Sequence, residues 1–449
     1  MNILYLHSHD TGRYVSPYGH AVPTPNLQAF AERGVVFRQA FCAAPTCSPS
    51  RAALLTGQSA HASGMLGLAH RGHVLNDFKQ HLIHRLKPQG FHTALCGQQH
   101  IANHVGIDAI GYDQVLDVAS NRVEHVAPAA EAWLADPARR DQPFFLSCGF
   151  FETHTPFPDA DDRDARFVKT PDPLPDTPQT RRDTARYHQS VALLDGGMGR
   201  VLAALDRAGL AENTLVIVTT DHGVPFPEMK CSLTDHGTGV MLMMRGPGGF
   251  TGGRAFDANV SHLDVYPTVC DLLDIAPPPW LEGKSLRPLV SGEIDDTPDA
   301  LHDELFAEVT WHAGFEPKRS VRTPRYLYIR NCNPDWRRPV RPNCDASEAK
   351  SLWLDLKYDR RPVPEEELYD NLLDPQQRRN LAHDPDYADA LADARARLDA
   401  WMKRTGDPLL TDAVPIPREL TYNPHAAIDP RQADAVPLRP GEPLSYPER

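Results

Sequence analysis

A cysteine, an arginine and a run of helix-forming residues stand together in Pro45-Thr46-Cys47-Ser48-Pro49-Ser50-Arg51-Ala52-Ala53-Leu54-Leu55-Thr56-Gly57. Ser48 suits an N-cap, Pro49 the first helical position, Ala52 to Leu55 a helix interior and Gly57 its end. Cys47 is therefore expected just before a short helix. There the first-turn N–H groups and the positive end of the dipole favour an anion, and Arg51 can fold back over the same turn. A thiol placed so would be acidified and an anionic substrate held. A small buried core cysteine beside a cap fits the same spacing.

Acid and imidazole groups recur at the ends of apolar runs. Ile3 to His7 reads as a buried strand that leaves at Ser8-His9-Asp10-Thr11-Gly12, and Thr214 to Thr220 as another, closed by Asp221-His222-Gly223. Strand ends are where open α/β sheets hold ligands. Asp10 and Asp221 thus become candidate metal ligands, with His222 beside them; helix capping is their other reading. Alternation along a strand lets His9 face either side. Two more strands, Thr93–Cys96 and Phe144–Ser147, run out at Gln98 and His100 and at His154. A lone histidine there serves equally well as a structural hydrogen-bonding group. By spacing alone Lys230 is a solvated surface lysine.

The elements that must position these groups alternate strand with helix. This predicts an α/β fold with a large mixed, mostly parallel sheet flanked by helices. Helices are expected from Thr24-Pro25 to Gly34, from about Asn76 to Leu86, and from about Thr184 to Ala208. The last carries Leu193, Leu194, Met198, Val201 and Leu205 as its core-facing stripe. Residues 158–180 are rich in Asp and Pro and read as a surface loop. Strands at Leu305–Val309 and Tyr326–Arg330 and a helix from about Tyr387 to Lys403 suggest a smaller C-terminal α+β unit. The expected organisation is a catalytic domain over 1–295, this subdomain over 296–405, and a Pro-rich extended tail over 406–449.

At 449 residues, 41% hydrophobic and 23% charged, the composition is that of a globular protein. The net charge of −13 argues against nucleic acid, and an anionic substrate must be met by local cations, a metal and helix ends. Eight scattered cysteines without a Cys-x-x-Cys spacing indicate neither a zinc ribbon nor a disulfide scaffold. Met1 to Leu6 pass straight into a strand, so a cytoplasmic location is expected, and no apolar run is long enough to span a membrane.

Cys-x-Pro-Ser-Arg running into Ala-Ala-Leu-Leu-Thr-Gly resembles the site at which sulfatases have their cysteine oxidised to formylglycine. The resemblance implies an alkaline-phosphatase-like fold and a formylglycine-generating enzyme as maturation partner. It also implies that Cys47 does no chemistry as a thiol. The aldehyde hydrate would supply one oxygen as nucleophile on sulfur, and its second hydroxyl would later collapse to expel sulfate. Carried over by motif, Cys47, Asp10, Asp221, His222 and His9 fall at the metal site. Arg51, His100, His154 and Lys230 fall in the catalytic set, with His154 beside the leaving group, Lys230 on the sulfate and His100 against the formylglycine; Gln98, His154 and Lys230 face the substrate. Gly283-Lys284-Ser285-Leu286 and Glu367-Leu368-Tyr369-Asp370 are similar to later family landmarks and extend the resemblance to about residue 385.

Three positions depart from the family pattern. His9-Asp10 replaces two aspartates, Asp221-His222 replaces Asp-Asn, and Gln98 replaces a lysine. Carboxylates suit calcium, the family's metal, whereas imidazole suits manganese or zinc. Within the family, Gly64-Met65-Leu66-Gly67-Leu68 and Lys318-Arg319-Ser320-Val321-Arg322 most resemble the sulfamidases that act on N-sulfoglucosamine. The expected activity is hydrolysis of a sulfate ester or N-sulfo group on a small sulfated substrate, such as a sugar, with a homodimer as the assembly. Two other readings stand beside it: a phosphonate monoester or phosphodiester hydrolase, and a binding protein without catalysis.

Overall fold

The computed structural model describes residues 1–103, 105–161, 163–411 and 414–444. The main sheet is built from β1 (Asn2–His7), β2 (Val35–Phe37), β4 (His92–Gly97), β5 (Gln114–Val115), β6 (Phe144–Gly149), β7 (Thr214–Thr219), β8 (Leu242–Arg245) and β9 (Arg254–Phe256). A two-residue pair, β3 (Ala40–Phe41) with β10 (Val260–Ser261), lies apart from it. The order across the sheet is β5-β4-β6-β1-β7-β8-β2-β9. Its first five strands are parallel, and only β8 runs against its neighbours.

Central β1 is buried at all six residues because helices cover both faces, which is why it reads as an unbroken apolar run. Ile3 and Tyr5 pack to one side with Leu54, Leu55 and Tyr266, from the helices Cys47–Thr56 and Val265–Leu272. Leu4 and Leu6 pack to the other with Val126, Met198 and Leu205, from Val123–Ala135 and Pro178–Arg207. With β1 at the centre, the ends of β4, β6, β1 and β7 open on the same edge of the sheet.

Several elements differ from the sequence expectation. The long helix begins at Pro178, six residues early, where Thr177 and Thr180 form a capping box. Leu193 is 49% exposed, because it sits one position, about 100°, off the stripe of Leu194, Met198, Val201 and Leu205. The helix expected over Asn76–Leu86 is broken into a 3-10 turn, Phe78–Gln80, and one α turn, Ile83–Leu86. Asp77 caps the Lys79 N–H, and extended His81 separates the two pieces.

The second sheet is antiparallel, in the order β11 (Leu305–Trp311), β12 (Phe315–Arg322), β13 (Tyr326–Asn331), β14 (Glu366–Asp370). Sequence periodicity did not reveal β12, whose charged residues Lys318 and Arg319 interrupt an apolar pattern. Helix Ala388–Thr405 covers one face through Leu391, Leu398 and Trp401. Beyond it, Leu420, Tyr422 and Leu438 pack on Leu66 and Trp311, so this Pro-rich stretch lies against the body. All eight cysteines are free. Among the described residues no helix is long and apolar enough to cross a membrane.

Candidate active site

The helix carrying the cysteine starts two residues earlier than expected. Thr46 is its N-cap and Cys47 its first residue, while Gly57 ends it at φ 70°. Ser48 does not cap, since its hydroxyl accepts the Ala69 N–H (3.0 Å) from another segment. Every residue of this helix is buried. It is tied to the end of β7 by Ser50 Oγ, which donates to the Asp221 carbonyl (2.5 Å). Arg51 reaches the end of β1 as well, donating to the Ser8 carbonyl (2.8 Å) and Asp221 Oδ2 (2.9 Å), with His7 Nδ1 2.7 Å away.

Asp10 takes a left-handed backbone, φ 49°, and its N–H donates to Asp221 Oδ1 at 2.7 Å, which brings the two carboxylates together. His9 faces this pair: Nδ1 lies 2.9 Å from Asp10 Oδ1 and 3.2 Å from Asp221 Oδ2. His222 Nδ1 lies 2.9 Å from the Gly223 carbonyl, so it holds the proton. Its bare Nε2 is then turned to Asp10 Oδ1 (3.1 Å) and Cys47 Sγ (3.5 Å). Ligand atoms of His9, Asp10, Cys47, Asp221 and His222 all fall within 4.8 Å of one another. A lone pair facing a carboxylate is unfavourable unless a cation lies between them. The residues therefore fit a divalent metal.

Lys230 is buried, and this excludes the solvated reading. Its Nζ donates to Asp10 Oδ2 (3.0 Å) and Asp345 Oδ2 (2.8 Å) and lies 3.4 Å from His154 Nε2. Burial opposes its charge, but the two carboxylates outweigh burial and hold the ammonium well above its ordinary pKa. Burial likewise pushes the Asp10 carboxyl up, yet Lys230 and the surrounding imidazoles hold it well below its usual range. His9 is carried down to about 4 by burial, against the pull of Asp221 and Asp10. Cys47 contradicts the expected acidified thiol: burial raises it well above its ordinary value, and Lys230 only partly offsets this.

His154 is 22% exposed at its side chain and lies at the mouth of the site. Its Nδ1–H donates to the Thr155 carbonyl (2.7 Å), leaving Nε2 turned inward. His100, with φ 59°, brings its ring 5.8 Å from that of His9 and bonds through Nε2 to His70 Nδ1 at 3.0 Å. Gln98 stands at the same strand end but accepts from Asn121 Nδ2 (2.5 Å), and it makes no hydrogen bond to the carboxylate cluster among the described residues. Sequence reasoning missed Asp345, His70 and the buried His312. None of them follows a strand of the main sheet, and only chain folding brings them near.

This geometry defines an α/β protein whose carboxylate–imidazole centre faces position 47 at the head of a buried helix. The sulfatase family model matches residues 1–275. Human N-sulphoglucosamine sulphohydrolase is 31% identical over 471 positions, covering 91% of this chain and 91% of that protein. The chain belongs to the sulfatase family. Among solved structures, a 2-O GAG sulfatase superposes with a TM-score of 0.69 at 23% identity, covering 91% and 93% of the two chains. The phosphonate monoester hydrolase of Agrobacterium radiobacter does so with 0.67 at 20%, covering 98% and 100%. At those identities they share the fold.

Proposed function

We propose that this sulfohydrolase removes the N-sulfo group of an amino sugar, with Cys47 matured to formylglycine. The observation that carries the reading is the position of Cys47. It opens a buried helix, 3.5 Å from a bare His222 nitrogen and within range of Lys230. Its thiol is held protonated and is a poor nucleophile, so an oxygen nucleophile made at this position suits the site better. The 31% identity to a sulphohydrolase of N-sulphoglucosamine supports the substrate class.

His9, Asp10, Asp221, His222 and position 47 would hold one divalent cation. Calcium is the family's choice, and the imidazoles also admit manganese or zinc. When bound, that cation neutralises charge on the sulfate oxygens and favours an ionised nucleophile. The chain's own residues do the rest. Lys230, fixed between Asp10 and Asp345, would turn its third N–H from His154 Nε2, 3.4 Å away, to a sulfate oxygen, and Arg51 holds Asp221 in place. His154, tethered through Nδ1, turns Nε2 into the site, where it would relay a proton to the departing amine.

The experiment compares kcat/KM of the matured enzyme on N-sulfoglucosamine, an aryl sulfate, an aryl phosphonate monoester and a phosphodiester. The N-sulfo sugar is expected to lead. A lead of more than about tenfold, ~1.4 kcal/mol, for the phosphonate or diester would favour the phosphohydrolase reading instead.

A further inference from the structure

Arg71 is one of the largest fully buried side chains, at 2% exposure, yet among the described residues it has no acidic partner. The other arginines buried as deeply, Arg51 and Arg319, each meet a carboxylate, at 2.9 Å and 2.5 Å. Arg71 Nη2 donates to Asn423 Oδ1 (2.7 Å) and the Pro430 carbonyl (3.1 Å), both in the C-terminal stretch. Among the described residues Nε and Nη1 donate to nothing, which leaves three of the five guanidinium N–H groups unanswered. No carboxylate lies in ion-pair range of Arg71 among the described residues. Burial alone lowers its pKa, to about 10. A buried cation without a counter-charge is a costly arrangement, and it is met where an anion is supplied from outside the chain.

Two neighbours, His70 and His312, connect Arg71 to the catalytic residues. His70, the preceding residue, is bonded to His100. His312, in the turn between β11 and β12, is 5% exposed, and its Nδ1 also has no partner. It lies within electrostatic range of Arg71 and also of Lys230, His222 and Asp10. Burial does not argue against contact with substrate here, since Cys47 and Lys230, which face the sulfur, are 1% and 5% exposed.

We propose that Arg71, assisted by His312, forms a subsite for a second anionic group of the saccharide, a further sulfate ester or a uronate carboxylate. The inference rests on the amino-sugar reading above and extends it. This sulfohydrolase would then select a sugar that carries two anions, one presented to position 47 and the other to Arg71.

The test is calorimetric titration of the full-length Cys47→Ala protein, which binds without turnover. The ligands are glucosamine 2-N-sulfate, glucosamine 2-N,6-O-disulfate and a disaccharide of N-sulfoglucosamine with a hexuronate. One of the doubly charged ligands is expected to bind about tenfold or more tighter than the monosulfate, a gain typical of a charge-assisted pair. A gain with the disulfate identifies a sulfate subsite, and a gain with the uronate a carboxylate subsite. Added Arg71→Met should bring the ratio close to one, and Arg71→Lys should preserve part of it. Equal affinity for all three ligands, or an unchanged ratio in Arg71→Met, overturns the subsite. Should Arg71→Met fail to fold, the ratio in the parent and its decline in His312→Gln decide the matter. Failure of the amino-sugar reading shows separately, as no sulfate release from any of the three by the matured wild-type enzyme.

Discussion

Removing the carboxylate of Glu308 should loosen the C-terminal sheet from the catalytic core. Glu308, on β11, is 1% exposed. Its Oε1 accepts from the backbone N–H of His61 (3.0 Å) and lies 2.9 Å from His61 Nδ1, and its Oε2 lies 3.2 Å from Arg319. Arg319 in turn holds Asp407 at 2.5 Å. Burial pushes the Glu308 carboxyl up, but His61 and Arg319 outweigh it and bring it from 4.5 to about 2. At ~1.4 kcal/mol per unit, this contributes about 3 kcal/mol of stability. Because the folded pKa is the lower one, that contribution is complete above about pH 4.5 and is lost as pH falls towards 2. His61 has the opposite sign. Burial opposes its charge, Glu308 outweighs burial, and its pKa rises above 6.5, so its share is complete below 6.5 and is lost as pH climbs through the raised value. Glu308→Gln removes both shares. For a chain of 449 residues, unfolding entropy is roughly 0.9 kcal/mol per degree, so Tm should fall by about 3 °C at pH 5.5. Scanning calorimetry of both proteins from pH 4 to 8.5 should show the widest gap between about 4.5 and 6.5, narrowing on either side. A Tm difference below about 1 °C at pH 5.5, or one that does not vary with pH, would mean that Glu308 does not couple the two sheets in this way.

Asp10→Asn and Asp221→Asn should each lose bound metal and turnover together; undiminished metal by elemental analysis in both would place the cation elsewhere. Lys230→Met should lower kcat/KM by about 100-fold or more and destabilise the fold by about 3–5 kcal/mol, because Asp10 and Asp345 keep buried charge unpaired. Adding Asp345→Asn should recover stability, read as Tm, without recovering activity; recovery of both would make Lys230 a structural residue. His154→Gln should slow hydrolysis of an N-sulfo sugar by about 100-fold or more, and that of an aryl sulfate with an activated leaving group by much less. Equal losses on the two substrates would remove His154 from proton transfer.

Much of the site was legible because it hangs on local signals. An apolar run followed at once by Asp or His marks a strand end, and Asp10, His154 and Asp221 stand where such ends converge. Orientation was not legible. His9 on a strand end can face either way, and only the approach of Asp221 shows that it turns inward. Helix capping misled at Ser48, whose hydroxyl serves Ala69 from a distant segment, so tertiary contact overrode a local preference. Thiol acidity misled at Cys47, because the helix N-terminus was read without the burial that outweighs it. Asp345, Arg71 and His312 carried no signal at all. The first is identified by the lysine it pairs with, and the other two by partners they lack.

Everything proposed for this site depends on position 47 acting as an aldehyde hydrate. The deciding measurement is the mass of the peptide spanning Ala43 to Arg51, taken from a preparation whose sulfate release has been measured. Formylglycine is expected at position 47, in a fraction that tracks specific activity across preparations. A fully active preparation with an intact cysteine thiol at that position would contradict it.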